Sequence, residues 1–230
     1  MIEGEQVVNL VSVYRRKAGN AINNLRYNPA LKEYQASCSI ANMSSRPKRL
    51  LTSEEYLALE REAEYKSEFY QGEVFAFAGA SLRHNLIAAN FLASTHSQLR
   101  GGACSSFSSD MRITIPQTSH YTYADVVVVC GQPQLADDFK DNLLNPIVIV
   151  EVLSPATESY DRGKKFESYQ RIESLMEYVL VSQDRPRVEQ FLRQTDGRWL
   201  YSETSAEGSI KLTSIDCELY LNDIYEKVEF

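Results

Sequence analysis

In the stretch TSEEYLALEREAEYKSEF, from Thr52 to Phe69, Tyr56, Leu59 and Ala63 recur at the spacing of one helix face. Thr52 followed by Glu55 fits a capping box, with acidic residues in the first turn, so the pattern predicts a helix over this stretch. The continuation EFYQGEVFAFAG switches to period two. Val74 and Ala76 alternate with Phe75 and Phe77 behind a turn at Gly72, which predicts a strand. A second helix is expected from about Leu82 to Leu99, capped by Ser81 and ended by Gly101 and Gly102. CSSFS, MRITIP, YTYADVVVVC and PIVIVEVL read as strands and ESYDRGKKFESYQRIE as a helix. EYVLVS, RVEQFLRQ and RWLYSET read as further strands, and LNDIYEKV as a short terminal helix. This order predicts an α/β (mixed α+β) fold, a central mixed β-sheet flanked by helices, with extra C-terminal strands.

Composition narrows the picture. The 230 residues are 43% hydrophobic and 24% charged, enough for one sizeable core. No apolar run approaches the ~18 residues that cross a bilayer, and no secretory leader pattern is visible. Residues 1–42 are richer in Asn, Ser and Gln and read as a poorly ordered N-terminal extension, with residues 43–230 as one domain that starts near Met43. The extension holds five basic and three acidic residues; with a total of −7, the remainder carries −9. That balance is not the footprint of a general nucleic-acid coat protein. Cys38, Cys104, Cys130 and Cys217 lie far apart without CxxC spacing. They read as reduced thiols in a cytoplasmic protein, neither a zinc site nor a disulfide scaffold.

One feature of the apolar pattern needs a chemical reason. Glu151 interrupts the run Ile147–Leu153, and Asp125 stands directly ahead of four valines. An unpaired buried charge costs several kcal/mol or more. Each acid taken alone could accept hydrogen bonds from a loop or pair with an arginine. Taken together, they suit a shared divalent cation, because Mg²⁺ or Mn²⁺ prefers oxygen ligands and takes one or two carboxylates. Asp161, Lys165 and Tyr169 are spaced i, i+4, i+8 on the helix that follows, so Lys165 could turn toward that ion to orient water or stabilise charge on phosphate. A solvated Asp161–Lys165 ion pair is the plainer alternative. Glu68, read as closing the first helix, could add a third carboxylate. His84, one turn into the second helix, and Glu73 are auxiliary candidates; His96 and His120 have no recognisable context.

Those residues, with EEYLALEREAEYKSEFYQGEVFAFAGAS, YADVVVVCG, VEVLSPATESYDRGKKFESYQ and EYVLVSQDRPRVEQF, resemble the Uma-type restriction endonuclease family (domain of unknown function 820) of the PD-(D/E)XK nuclease superfamily. The resemblance runs from about residue 50 to the C-terminus. It implies a restriction-endonuclease-like core, Mg²⁺ (or Mn²⁺) dependence and hydrolysis of phosphodiesters in DNA. Asp125 and Glu151 would be the metal carboxylates and Glu68 the upstream acid; a homodimer is expected by nuclease analogy. The superfamily's Pro-Asp is here Ala124-Asp125. Its Glu-X-Lys lysine position holds Leu153, and the resemblance implies that Lys165 takes over. A catalytically inactive module that binds nucleic acid or protein is the alternative.

Overall fold

The computed structural model describes residues 49–77 and 79–230, so the expected extension over residues 1–42 lies outside the described residues. Contacts divide the chain into two units. Of the described residues, 49–67 and 72–77 form the first; 68–71 and 79–230 form the second.

In the first unit, helix α1 (Ser53–Glu62) starts at the expected capping box, with both reciprocal Thr52–Glu55 bonds present. It stops earlier than the periodicity predicts. Ala63 is extended, and the buried Glu60 side chain turns to accept from the Ser67 backbone N–H at 2.8 Å, while Tyr56 Oη donates to Ser67 O at 2.6 Å. These bonds fix the chain in an extended path, so Glu68 belongs to strand β1 (Ser67–Tyr70) and not to a helix end. β2 (Glu73–Ala76) follows. Gln71 and Gly72 between the strands both have positive φ, which is why a glycine stands at Gly72.

The second unit is built around a six-stranded sheet. Its strands are β3 (Cys104–Ser108), β6 (Val126–Cys130), β8 (Val148–Leu153), β9 (Glu177–Ser182), β10 (Arg187–Arg193) and β11 (Trp199–Ser205), in the spatial order β11-β10-β9-β8-β6-β3. β8 and β9 are parallel; the other neighbours are antiparallel. Both central strands are buried throughout, because each face carries a core. On one face Val126, Val128, Val148 and Val150 pack with Ile87 and Phe91 of helix α2 (Leu82–Leu99). Against that cluster lie β12 (Ser209–Leu212), β13 (Cys217–Tyr220) and a terminal helical turn (Leu221–Ile224). On the other face Val127, Val129, Ile149 and Leu153 meet Phe166, Tyr169 and Tyr178.

A smaller sheet contains β5 (His120–Tyr123), antiparallel to β1 and to β4 (Arg112–Ile115); β4 also pairs in parallel with β7 (Asn142–Leu143). The single strand expected over YTYADVVVVC is therefore two. β5 ends at Tyr123 in the small sheet, and β6 starts at Val126 in the large one. The chain changes sheets at Ala124-Asp125.

The helix expected over ESYDRGKKFESYQRIE has three parts: a turn at Glu158–Tyr160, a π-helix at Asp161–Lys165 and a turn at Phe166–Tyr169. The reading of Cys104 and Cys130 as reduced thiols also needs correction, while Cys38 lies outside the described residues. Antiparallel pairing of β3 with β6 sets Cys104 opposite Cys130, and the two form a disulfide. A separation of 26 residues gave no hint of that register. Cys217 is free and buried. No described helix is long and apolar enough to cross a membrane.

Candidate active site

The antiparallel pairing of β6 with β8 brings Asp125 into the neighbourhood of Glu151. β6 and β8 pair with Val126 opposite Val150. Regular pairing stops there: Asp125 lies at the bend just ahead of β6, near enough for its charge to act on Glu151. The crossover is pinned on both sides: Asp125 N–H donates to Val150 O at 3.1 Å, and Val152 N–H donates to Asp125 Oδ2 at 2.7 Å. His84, near the start of α2, sets Nε2 3.2 Å from the same Oδ2.

Glu151 is almost fully buried. Its Oε1 accepts from Tyr169 Oη at 2.9 Å and lies 2.9 Å from Lys165 Nζ. Lys165, 3% exposed, donates to Tyr123 O at 3.1 Å and also pairs with Glu68 Oε1 at 3.1 Å and Asp161 Oδ1 at 3.7 Å. The expectation that Asp161, Lys165 and Tyr169 share a face thus holds, although a π-helix and not an α-helix carries the first two. Leu153, at the superfamily's lysine position, packs in the core.

Glu68 reaches this cluster from β1. Phe69 pairs with Tyr121, so Glu68 stands opposite Thr122, whose hydroxyl donates to Oε1. Tyr160 Oη donates to Oε2 at 2.9 Å. Both oxygens of Glu68 are thereby engaged, and Oε1 is also paired with Lys165. Glu73 stands on β2, which belongs to the first unit; the cluster is built from the second unit alone.

Three carboxylates, Glu68, Glu151 and Asp161, pair with one ammonium, and the Asp125 charge also acts on Glu151. Burial pushes the Glu151 carboxyl well above the usual range, Asp161 and Asp125 push it further, and Lys165 offsets only part of this. Asp161 is also raised, by burial above all and by Glu68 and Asp125, against the pull of Lys165 and Thr157. Burial works against charging Lys165, but Glu151, Glu68 and Asp161 outweigh it and keep the ammonium charged. Glu68 goes the other way. Burial raises it, yet the Lys165 charge, the nearby His120 and the Thr122 hydroxyl hold it at about 2. His84 is raised as well: Asp125 and Asp161 overcome its burial.

The site therefore has more negative charge than its lysine neutralises. Among the described residues no three His, Cys, Asp or Glu side chains converge as a ready cage for an ion. The donor set on offer is a pair. Asp125 Oδ1 and Glu151 Oε2 have no protein partner among the described residues, while the other oxygen of each acid is held in place. Two hard carboxylate oxygens fit Mg²⁺ or Mn²⁺, which keep several waters.

Three residues that sequence reasoning passed over complete the cluster: His120, Tyr160 and Ser168, all reached through hydrogen bonds around Glu68. The one signal for His120 was its place two residues from Thr122 on the strand that pairs with β1, and that pairing was not legible beforehand.

The family described as "Putative restriction endonuclease" (Uma2) matches residues 53–220. The chain belongs to the Uma2 family. An uncharacterized Synechocystis protein, slr1290, is 34% identical over 192 residues, covering 83% of this chain and all of that one. A second, sll1609, is 37% identical over 161 residues, covering 70% of this chain and 91% of its own length. A crystal structure from Anabaena variabilis, titled as a "putative nuclease belonging to DUF820", superposes with a TM-score of 0.64 at 18% identity, over 78% of this chain and 99% of that one. At that identity the likeness concerns the fold. It agrees with the mixed α+β architecture, and Uma2 membership makes the chain nuclease-like.

Proposed function

We propose that this Uma2 chain is a metal-dependent endonuclease that hydrolyses phosphodiester bonds in DNA. The observation that carries the reading is the pair Asp125 and Glu151: one at the bend ahead of β6, one in β8, each with one carboxylate oxygen that no described residue hydrogen-bonds, and each within reach of the other's charge. Mg²⁺ or Mn²⁺ bound there would polarise a phosphate oxygen and acidify bound water.

The chain's own residues prepare the place. Val152 N–H and His84 fix one oxygen of Asp125, and Tyr169 with Lys165 fixes one oxygen of Glu151, so the remaining oxygens keep a set direction. Lys165 acts as a permanent positive charge and not as a base, since three carboxylates hold it protonated. Asp125, about one-sixth exposed, is where the substrate phosphate reaches the site.

The test is plasmid nicking in Mn²⁺, comparing wild type with Asp125→Asn and Glu151→Ala, beside Mn²⁺ calorimetry on all three. Nicking and Mn²⁺ binding in the wild type alone are expected. A variant that cuts as fast as wild type would sink the assignment. An inactive nucleic-acid-binding module is the second reading, favoured by Leu153 at the lysine position and by the net charge of −7; DNA binding without cutting or Mn²⁺ uptake would select it.

A further inference from the structure

From Glu68 a chain of side-chain hydrogen bonds runs through Tyr160, His120 and Ser168 to Thr118. Tyr160 has one proton. Burial and the neighbouring Glu68 charge push its phenol up, so the proton stays, and it is donated to Glu68 Oε2. The Tyr160 oxygen can then only accept at its other contact, His120 Nε2, 3.2 Å away. Nε2 therefore carries hydrogen. In a neutral imidazole Nδ1 is then an acceptor, and Ser168 Oγ lies 2.8 Å from it. With its proton given to His120, Ser168 Oγ accepts from Thr118 Oγ1 at 2.7 Å; the competing acceptor for Thr118, Ile115 O, is farther at 3.4 Å. For a neutral ring, donation runs Thr118, Ser168, His120, Tyr160, Glu68; a doubly protonated ring would instead donate from Nδ1 to Ser168.

The positions of the partners matter as much as the polarity. Tyr160 is the residue before the π-helix Asp161–Lys165, and Ser168 is the third residue after it. One fully buried ring thus holds both flanks of the segment that presents Lys165, one flank at each nitrogen. We propose that His120, as the neutral Nε2–H tautomer, is a positioning residue that clamps the two ends of the π-helix and so fixes Lys165 and Glu68 against Glu151. The polarity decides between a clamp and a proton conduit. A conduit ending on Glu68 would end on a carboxylate that resists protonation, whereas a clamp needs that carboxylate charged. The inference rests on the proposed nuclease reading for its kinetic part only.

Two measurements test it. In protein labelled with ¹⁵N-histidine, long-range ¹H–¹⁵N correlation spectra separate the ring tautomers, with His120→Phe identifying the signal. His120 is expected with hydrogen on Nε2 and none on Nδ1; the opposite tautomer, or hydrogen on both near neutral pH, would overturn the clamp. In Mn²⁺ nicking, His120→Phe is expected to lower kcat about tenfold or more with KM little changed, as loss of an outer support does at metal sites. His120→Gln, whose amide can still donate to Tyr160, should recover most of the loss, and His120→Asn should recover less. A His120→Phe variant as fast as wild type, or equal loss in Gln and Phe, would refute it. The ring measurement needs neither metal nor substrate. A wild type that cuts nothing would remove the proposed reaction and leave the tautomer to decide the clamp.

Discussion

At the scale of single residues, Lys165 and Glu68 show how a buried charge is made tolerable. Glu68 is held at about 2 against an ordinary 4.5. A group whose folded value is depressed stabilises the protein fully above its unfolded value, and that stability is lost as pH falls through the folded one. Glu68 should therefore contribute about 3 kcal/mol at pH 7. The contribution should fade from about pH 4.5 down to about 2. Urea unfolding of wild type and Glu68→Gln at pH 7, 4 and 3 measures this: a gap of about 3 kcal/mol at pH 7 should narrow steadily with acid. A gap independent of pH would mean that Glu68 acts through packing. Lys165→Met leaves Glu151, Glu68 and Asp161 without their cation and should cost about 3 kcal/mol or more. Because these charges are coupled, the double variant Lys165→Met/Glu68→Gln should be more stable than the two single losses predict; additive losses in a double-mutant cycle would contradict the ion pair.

At the scale of elements, the π-helix is the departure that matters. Local periodicity made the helix over this segment legible, since Phe166 and Tyr169 mark its buried face. It could not reveal one turn with an extra residue, because a π turn has no sequence signature of its own. The same limit hid the break inside YTYADVVVVC. Four valines after Asp125 read as one strand with the residues before it, and only the pairing partners, β1 and β4 for one half and β3 and β8 for the other, separate the sheets. Gly163 offers a way to test the element. It is exposed, and a Cβ there would meet nothing within 4 Å. Gly163→Ala should thus leave activity intact and raise stability by about 0.5–1 kcal/mol. Deleting Gly163 should instead convert the π turn to an α turn and rotate one flank by about 100° relative to the other, so that Asp161 and Lys165 no longer both face Glu151. Thermal unfolding and Mn²⁺ nicking of the two variants separate these outcomes, and a deletion variant with normal nicking would show that the π geometry is dispensable.

At the scale of the whole molecule, Glu151 was legible as a buried acid because a carboxylate in an apolar strand demands a partner, and Lys165 was legible as that partner because its i−4 and i+4 neighbours are Asp161 and Tyr169. His120 and the counter-ion role of Glu68 were not, because both depend on which strand pairs with β1. The charge distribution then sets how substrate arrives. The chain carries a net −7, and its site places three carboxylates around one lysine with Asp125 nearby. A phosphodiester is repelled from such a place until a divalent ion offsets the acids. Binding to DNA should accordingly be strongly metal-dependent. With cleavage blocked by Ca²⁺ in place of Mg²⁺, fluorescence anisotropy should detect a complex that chelator abolishes. Its salt dependence should be shallow, because few cations replace counterions: each neutralised phosphate contributes a slope of about −0.9 in log K against log salt, and about one or two phosphates are expected. A steep slope that survives chelation would instead locate DNA binding on a basic surface elsewhere, and the acid pair would then have to act on a substrate that it does not itself recruit.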